Sequence, residues 1–251
     1  MSEQAGKFFF LLVPALVWSS GSYSAAPKEI ELASIARLTQ TCDAGDVNAC
    51  YALGTRYGVG SDVEKDFAHA AALYQKACDG GVPRACSTLG AFYDIGRGVP
   101  KDAARAAVLY GKACEGGISQ RCSILGFMYE RGIGVPKDLA RAVALFKRAC
   151  DEGSAEGCGN LGVVYRDGMG LRKDSARAFD LFERACEAGD YASCIHLGYM
   201  YEHGLGVAKD LRWAAAFYKY GCDSGEAAGC ERLQHACRGS DAPACQGLGR
   251  R

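Results

Sequence analysis

Residues 86–114 read CSTLGAFYDIGRGVPKDAARAAVLYGKAC, and this stretch returns with changes every 36 residues along most of the chain. One cysteine series is Cys42, Cys78, Cys114, Cys150, Cys186 and Cys222. A second is Cys50, Cys86, Cys122, Cys158, Cys194 and Cys230. Leu53, Leu89, Leu125, Leu161 and Leu197 keep the same step, each followed by glycine. So do Tyr57, Tyr93, Tyr129, Tyr165 and Tyr201, and Asp66, Asp102, Asp138, Asp174 and Asp210. A fixed period of this length is the signature of a repeat array rather than a set of unlike domains.

Within one unit, Cys86, Leu89, Gly90 and Tyr93 fall at i, i+3, i+4 and i+7, one face of a helix. Glycine on that face costs about 1 kcal/mol against alanine, so its recurrence predicts a close neighbour there. Gly96-Arg97-Gly98 stops the helix and Pro100 prevents its continuation. Asp102 is placed to cap a second helix, whose apolar face is Ala106, Leu109, Tyr110 and Ala113. Gly117 ends it, as Gly81, Gly153, Gly189 and Gly225 do elsewhere. A two-helix unit cannot bury its apolar face alone. Stacked units can, which predicts an all-α, right-handed α/α superhelical solenoid.

The expected organisation is a signal peptide over 1–24, then a linker and capping helix over 25–46. Five repeats follow at 47–82, 83–118, 119–154, 155–190 and 191–226, and a truncated capping repeat at 227–251. Leu32 to Cys42 reads as a lone second helix. At the back, Cys230 and Cys245 are only 15 residues apart, and Gln234 stands where glycine is expected. Inside the array, Asp62 replaces the second loop glycine of the first unit, and Gly221 replaces the alanine before Cys222.

All 14 cysteines have a partner eight positions away: Cys42–Cys50, Cys78–Cys86, Cys114–Cys122, Cys150–Cys158, Cys186–Cys194, Cys222–Cys230 and Cys237–Cys245. In the six pairs that join units, one member ends a second helix and the other lies in the next first helix, with a chain reversal between them. Their Cα atoms can therefore reach the roughly 5–6 Å of a disulfide. Seven local inter-helix disulfides are expected, each contributing about 2–3 kcal/mol by loop entropy. Zinc sites favour cysteines two to four residues apart. No such pair occurs, so neither a metal nor a cofactor is expected.

This cysteine load belongs to an oxidising compartment. Lys7, the apolar run Phe8 to Trp18 and the small residues before Ala26 read as a secretory signal cut near Ser24–Ala25. An uncleaved anchor is the alternative, although the run falls short of the ~20 residues of a membrane span. No span is expected after cleavage. The 251 residues carry a formal net charge of zero, with acids and bases interspersed. That pattern gives no reason to expect nucleic acid.

The motif LGAFYDIGRGVPKDAARAAVLYGKAC resembles a Sel1-like repeat, a relative of the tetratricopeptide repeat. With a cysteine pair per unit and a signal peptide, residues 32–245 are similar to the secreted Helicobacter cysteine-rich protein family. The resemblance implies an adaptor that binds proteins or peptides. It also implies, for the cysteine-rich family, penicillin binding with slow β-lactamase activity. No motif carries catalytic residues over to numbered positions here. S-x-x-K, S-D-N, K-T-G and G-x-S-x-G are all absent. His69, His196, His203 and His235 show no ligand spacing, and His196 with His203 reads as a half-exposed pair on one helix. The recurring Lys-Asp pairs read as caps and loop charges.

Ligand-facing positions are free to differ between units, and three columns on the first helices vary most. They are Tyr51, Ser87, Ser123, Gly159 and Ile195; Thr55, Ala91, Phe127, Val163 and Tyr199; and Gly58, Asp94, Glu130, Arg166 and Glu202, with Arg131 and His203 beside them. Facing a concave groove, Phe127, Tyr199 and Ile195 would be apolar anchors and Glu130, Arg131, Arg166 and Glu202 a polar ring, with Tyr51 and His203 as further groove candidates. Such a mixture suits a peptide or extended protein segment. The expectation is a secreted or periplasmic monomeric scaffold that binds such a segment. A weak β-lactam-binding hydrolase on the same fold, with a β-lactam or cell-wall-like small molecule as its ligand, is the alternative, and mitochondrial intermembrane or lumenal relatives come last.

Overall fold

A computed structural model describes residues 27–238 and Cys245, with side chains described from Ser34 onward. The expected signal peptide, 1–24, lies outside the described residues, as do 239–244 and 246–251 of the C-terminal cap. Among the described residues there are twelve helices and no strand. The lone α1 spans Pro27–Asp43 and starts earlier than the apolar pattern from Leu32 suggests. Five hairpins follow: α2 (Val47–Val59) with α3 (Phe67–Asp79), α4 (Pro83–Ile95) with α5 (Ala103–Glu115), and α6 (Ser119–Arg131) with α7 (Leu139–Asp151). The last two are α8 (Ala155–Asp167) with α9 (Ser175–Glu187) and α10 (Tyr191–His203) with α11 (Leu211–Asp223). A single helix, α12 (Ala227–Ala236), closes the array. No described helix is long and apolar enough to cross a membrane.

The recurring residues build the unit. Asp102 Oδ1 accepts from the Arg105 N–H at 2.9 Å, satisfying a first-turn donor of α5. Its own N–H donates to the Tyr93 carbonyl at 2.9 Å and ties the loop to α4. Arg105 then lies over the Tyr93 ring, 5.4 Å from its centre, and pairs with Asp102 at 3.3 Å. Arg141 and Arg177 repeat the arrangement in the next two units.

The helix glycines face the aromatic of their own second helix. A Cβ on Gly198 would lie 2.6 Å from the Tyr218 ring, so only glycine lets α10 and α11 approach this closely. The loop glycines do a second job. Gly98 has φ +67°, and a Cβ there would meet the Phe67 backbone of the preceding unit at 2.3 Å. Asp62, at the corresponding place in the first unit, keeps the left-handed turn with φ 66°, and its carboxylate pairs with Arg56.

Units are joined in three ways. Each second helix packs on the first helices of its own and the following unit. Basic side chains near the second-helix ends reach back one unit: Lys76 Nζ donates to the Cys42 carbonyl at 2.7 Å, and an Arg148 nitrogen to that of Cys114 at 3.1 Å. Disulfides close all seven expected pairs, with Cα–Cα distances from 4.4 Å at Cys150–Cys158 to 5.4 Å at Cys237–Cys245. Among the described residues no cysteine is free. This inventory fits an oxidising compartment outside the cytoplasm. First helices of neighbouring units also touch directly, α6 with α8 and α10 with α12. Such contact is what the inner, concave side of a solenoid calls for.

One column of expected groove residues is corrected here. Ile195 is 7% exposed and packs with Ala214, Ala215, Tyr218 and Leu233. A Cβ on Gly221 would meet Ile195 at 2.7 Å, so the missing alanine before Cys222 makes room for this side chain. Ser87, Ser123 and Gly159 in the same column are buried too. Tyr51 is half-buried against the Tyr74 ring, centroids 5.7 Å apart. The column lies near the disulfide-tied ends of the first helices, and its four buried members contribute to inter-helix packing rather than to a groove wall, while Tyr51 keeps part of its surface open.

Candidate functional site

The first-helix face retains two groups of the expected residues. On α6, Phe127 is 43% exposed and lies under the Arg131 guanidinium, 5.4 Å from ring centre. Arg131 also pairs with Glu130 at 3.4 Å. The richer group is built by α8, α10 and α12. It contains Arg166, Tyr199, Glu202 and His203 from the expected set, and adds Asp167, Lys173, His196, Glu231, Arg232 and His235.

Arg166 is the hub. Its Nε and Nη2 donate to the two oxygens of Asp167, each at 2.7 Å, the fork geometry that favours arginine–carboxylate pairs. This bond holds the Asp167 carboxyl below the usual carboxylate range. Arg166 Nη1 lies 3.0 Å from Nδ1 of His196. A guanidinium only donates, so Nδ1 must accept and the imidazole proton sits on Nε2. Burial, then the charges of Arg166 and Arg232, push His196 down to about 4. The ring is therefore neutral at pH 7 and presents an N–H donor. It is braced by Phe182, 4.8 Å away.

Tyr199 stands one helical turn beyond His196. The His203 ring packs 4.1 Å from it, and the Arg232 guanidinium lies 5.2 Å from its centre on α12. His203 Nδ1 donates to the Tyr199 carbonyl at 3.0 Å. Glu202 faces inward instead and accepts from the Tyr218 hydroxyl at 2.6 Å. Burial, followed by this bond to a carboxylate, raises the Tyr218 phenol above its ordinary range.

Two cavities of about 360 Å³ share Tyr199 and Arg232 as lining residues. The first is bounded also by Arg166, Asp167, Lys173, His196 and Leu205. The second is bounded by Glu202, His203, Glu231 and His235. The first is rich in hydrogen-bond donors, and the second carries both carboxylates and imidazoles. Arg232 and His196 share a column, 36 residues apart, with Ala52, Thr88, Ile124 and Asn160. That variation was a signal in the sequence, obscured because α12 reads as a mere cap. Lys173 gives no such signal, because lysine recurs before every capping aspartate.

The sequence matches the family model described as the Sel1 repeat over residues 47–82, 83–118, 122–154, 155–190 and 192–226. Among solved structures, the chain is similar to a protective antigen present in uropathogenic Escherichia coli strains that displays an SLR fold. That similarity is 34% identity over 81% of this chain and 44% of that one, with a TM-score of 0.75. The chain thus spans less than half the length of that antigen. It is also similar to a Sel1 repeat protein from Oxalobacter formigenes, at 25% identity over 87% and 91% of the two chains and a TM-score of 0.75. Similarity to Helicobacter pylori cysteine rich protein B is 31% identity over 54% of this chain and 97% of that one, with a TM-score of 0.42. No curated protein matches. Five matched repeats in a disulfide-linked helical array place the chain in the Sel1 repeat family, and it belongs there.

Proposed function

We propose that the protein is a scaffold that holds a protein or peptide segment along its first-helix face, and that it works secreted or in the periplasm. The observation that carries this reading is the convergence of Arg166, His196, Tyr199 and Arg232 on one donor-rich, aromatic-walled cavity. Phe127 and Arg131 extend the usable face toward the N-terminus. The compartment is supported by the disulfide inventory and by the apolar run Phe8 to Trp18.

Selection from a random displayed-peptide library tests the reading. Selected peptides should weaken at least tenfold against Tyr199→Ala combined with Phe127→Ala. Peptides indifferent to both changes, but sensitive to changes at the outer residue Val108, would contradict it.

No observation favours the β-lactam hydrolase alternative. The buried serines serve packing. Ser123 and Ser154 hydroxyls bond each other at 3.2 Å, and Ser154 caps α8 at the Gly157 N–H.

A further inference from the structure

We infer that the cavity between α8, α10 and α12 is a subsite for a single carboxylate of the bound segment, an acidic side chain or a chain terminus. The inference rests on the peptide-binding reading above. It follows from how the charges are already used. Asp167 is taken up by Arg166 through Nε and Nη2. One further Arg166 N–H goes to His196, which leaves two of its five donors. Arg232 meets the rings of Tyr199 and Tyr218 and donates to the Tyr218 hydroxyl, neutral partners that hold the cation without cancelling its charge. Among the described residues, no ion pair within 4.0 Å involves Arg232 or Lys173, although Lys173 lies near enough to Asp167 to lower its carboxyl, and Glu202 and Glu231 line the neighbouring cavity with Arg232. His196 is fixed with its proton on Nε2.

The cavity therefore has three cations, one committed carboxylate and a neutral imidazole donor. Its unmet requirement is a hydrogen-bond acceptor with negative charge. Asp167 on the wall disfavours a dianion such as phosphate, and a guanidinium fork matches a planar carboxylate. Tyr199 and Leu205 supply an apolar lining for the group that carries it.

The test is an NMR titration of the intact protein at low salt with four small probes, read at His196 and Tyr199. They are N-acetylglutamate amide, its neutral isostere N-acetylglutamine amide, N-acetylalanine with a free carboxylate, and inorganic phosphate. At least one carboxylate probe should saturate, and comparing the two tells side chain from terminus. The glutamine probe should bind at least tenfold more weakly. Arg232→Gln and Lys173→Gln, both at exposed positions, should each weaken the carboxylate by severalfold. In the free protein Lys173→Gln should shift signals only near its loop, and Arg232→Gln only at its contacts Tyr199, Tyr218 and His196. Equal binding of glutamate and glutamine probes, binding indifferent to both substitutions, or a preference for phosphate would overturn the inference. These outcomes stand apart from the peptide selection. Peptides that need Tyr199 but carry no acid, and ignore Arg232→Gln, would remove the subsite and leave the groove.

Discussion

Arg166 donates from Nη1 to Nδ1 of His196 across the joint between α8 and α10, at 3.0 Å. Two adjacent repeats are thus linked on the groove side by a bond that exists only while the imidazole is neutral. Protonation would place an N–H against a guanidinium that can only donate.

A pH dependence follows. His196 is held at about 4, below its ordinary 6.5, by burial and then by Arg166 and Arg232, with Asp167 opposing. For a base with a depressed folded value, the unfolded chain takes up the proton first as pH falls. Stability is therefore full above about 6.5 and is lost as pH falls through 6.5 towards 4, by on the order of 3 kcal/mol. His196→Gln should flatten this part of the profile in denaturant titrations. NMR of the ring should show the Nε2–H tautomer and a midpoint near 4. An unshifted midpoint near 6.5 would refute the assignment.

Glycine substitutions separate close approach from helix propensity. Gly198→Ala places a methyl 2.6 Å from the Tyr218 ring and should destabilise by about 1–3 kcal/mol. Gly111→Ala on α5 meets nothing nearer than Leu125 at 3.7 Å and should stabilise by up to about 1 kcal/mol. Melting curves of the two variants should move in opposite directions.

Removing one bridge tests the joints. Cys150→Ala with Cys158→Ala opens a short loop between α7 and α8, where the pair is buried. The expected loss is about 2–3 kcal/mol, with faster amide exchange concentrated in α7 and α8, because contacts run only between neighbouring units. Mass mapping of the unreduced protein should find the seven pairs eight residues apart. Exchange rising evenly along the whole array would contradict the nearest-neighbour picture.

What repeats was legible in the sequence because each recurring residue answers a local demand. Asp102 caps, Gly90 admits a ring, and Cys86 reaches Cys78. Which varying residues face outward was not legible from variation alone. Ile195 and Tyr199 lie about one turn apart, roughly 6 Å along one helix, and both differ between units. Yet Ile195 is covered beside Gly221, and Tyr199 stands at the cavity. Periodicity assigns a face; the distance from the tied helix ends decides burial. Arg232 escaped for another reason: the shortened last repeat retains its first helix, and that helix forms a wall of the cavity.

The central claim is that ligands meet the first-helix face at α8, α10 and α12. Amide-shift mapping of the isotope-labelled protein with a selected peptide tests it most directly. The account predicts the largest shifts around Arg166, Tyr199 and Arg232. Shifts confined to the outer helices, around Val108 and Trp213, would contradict it.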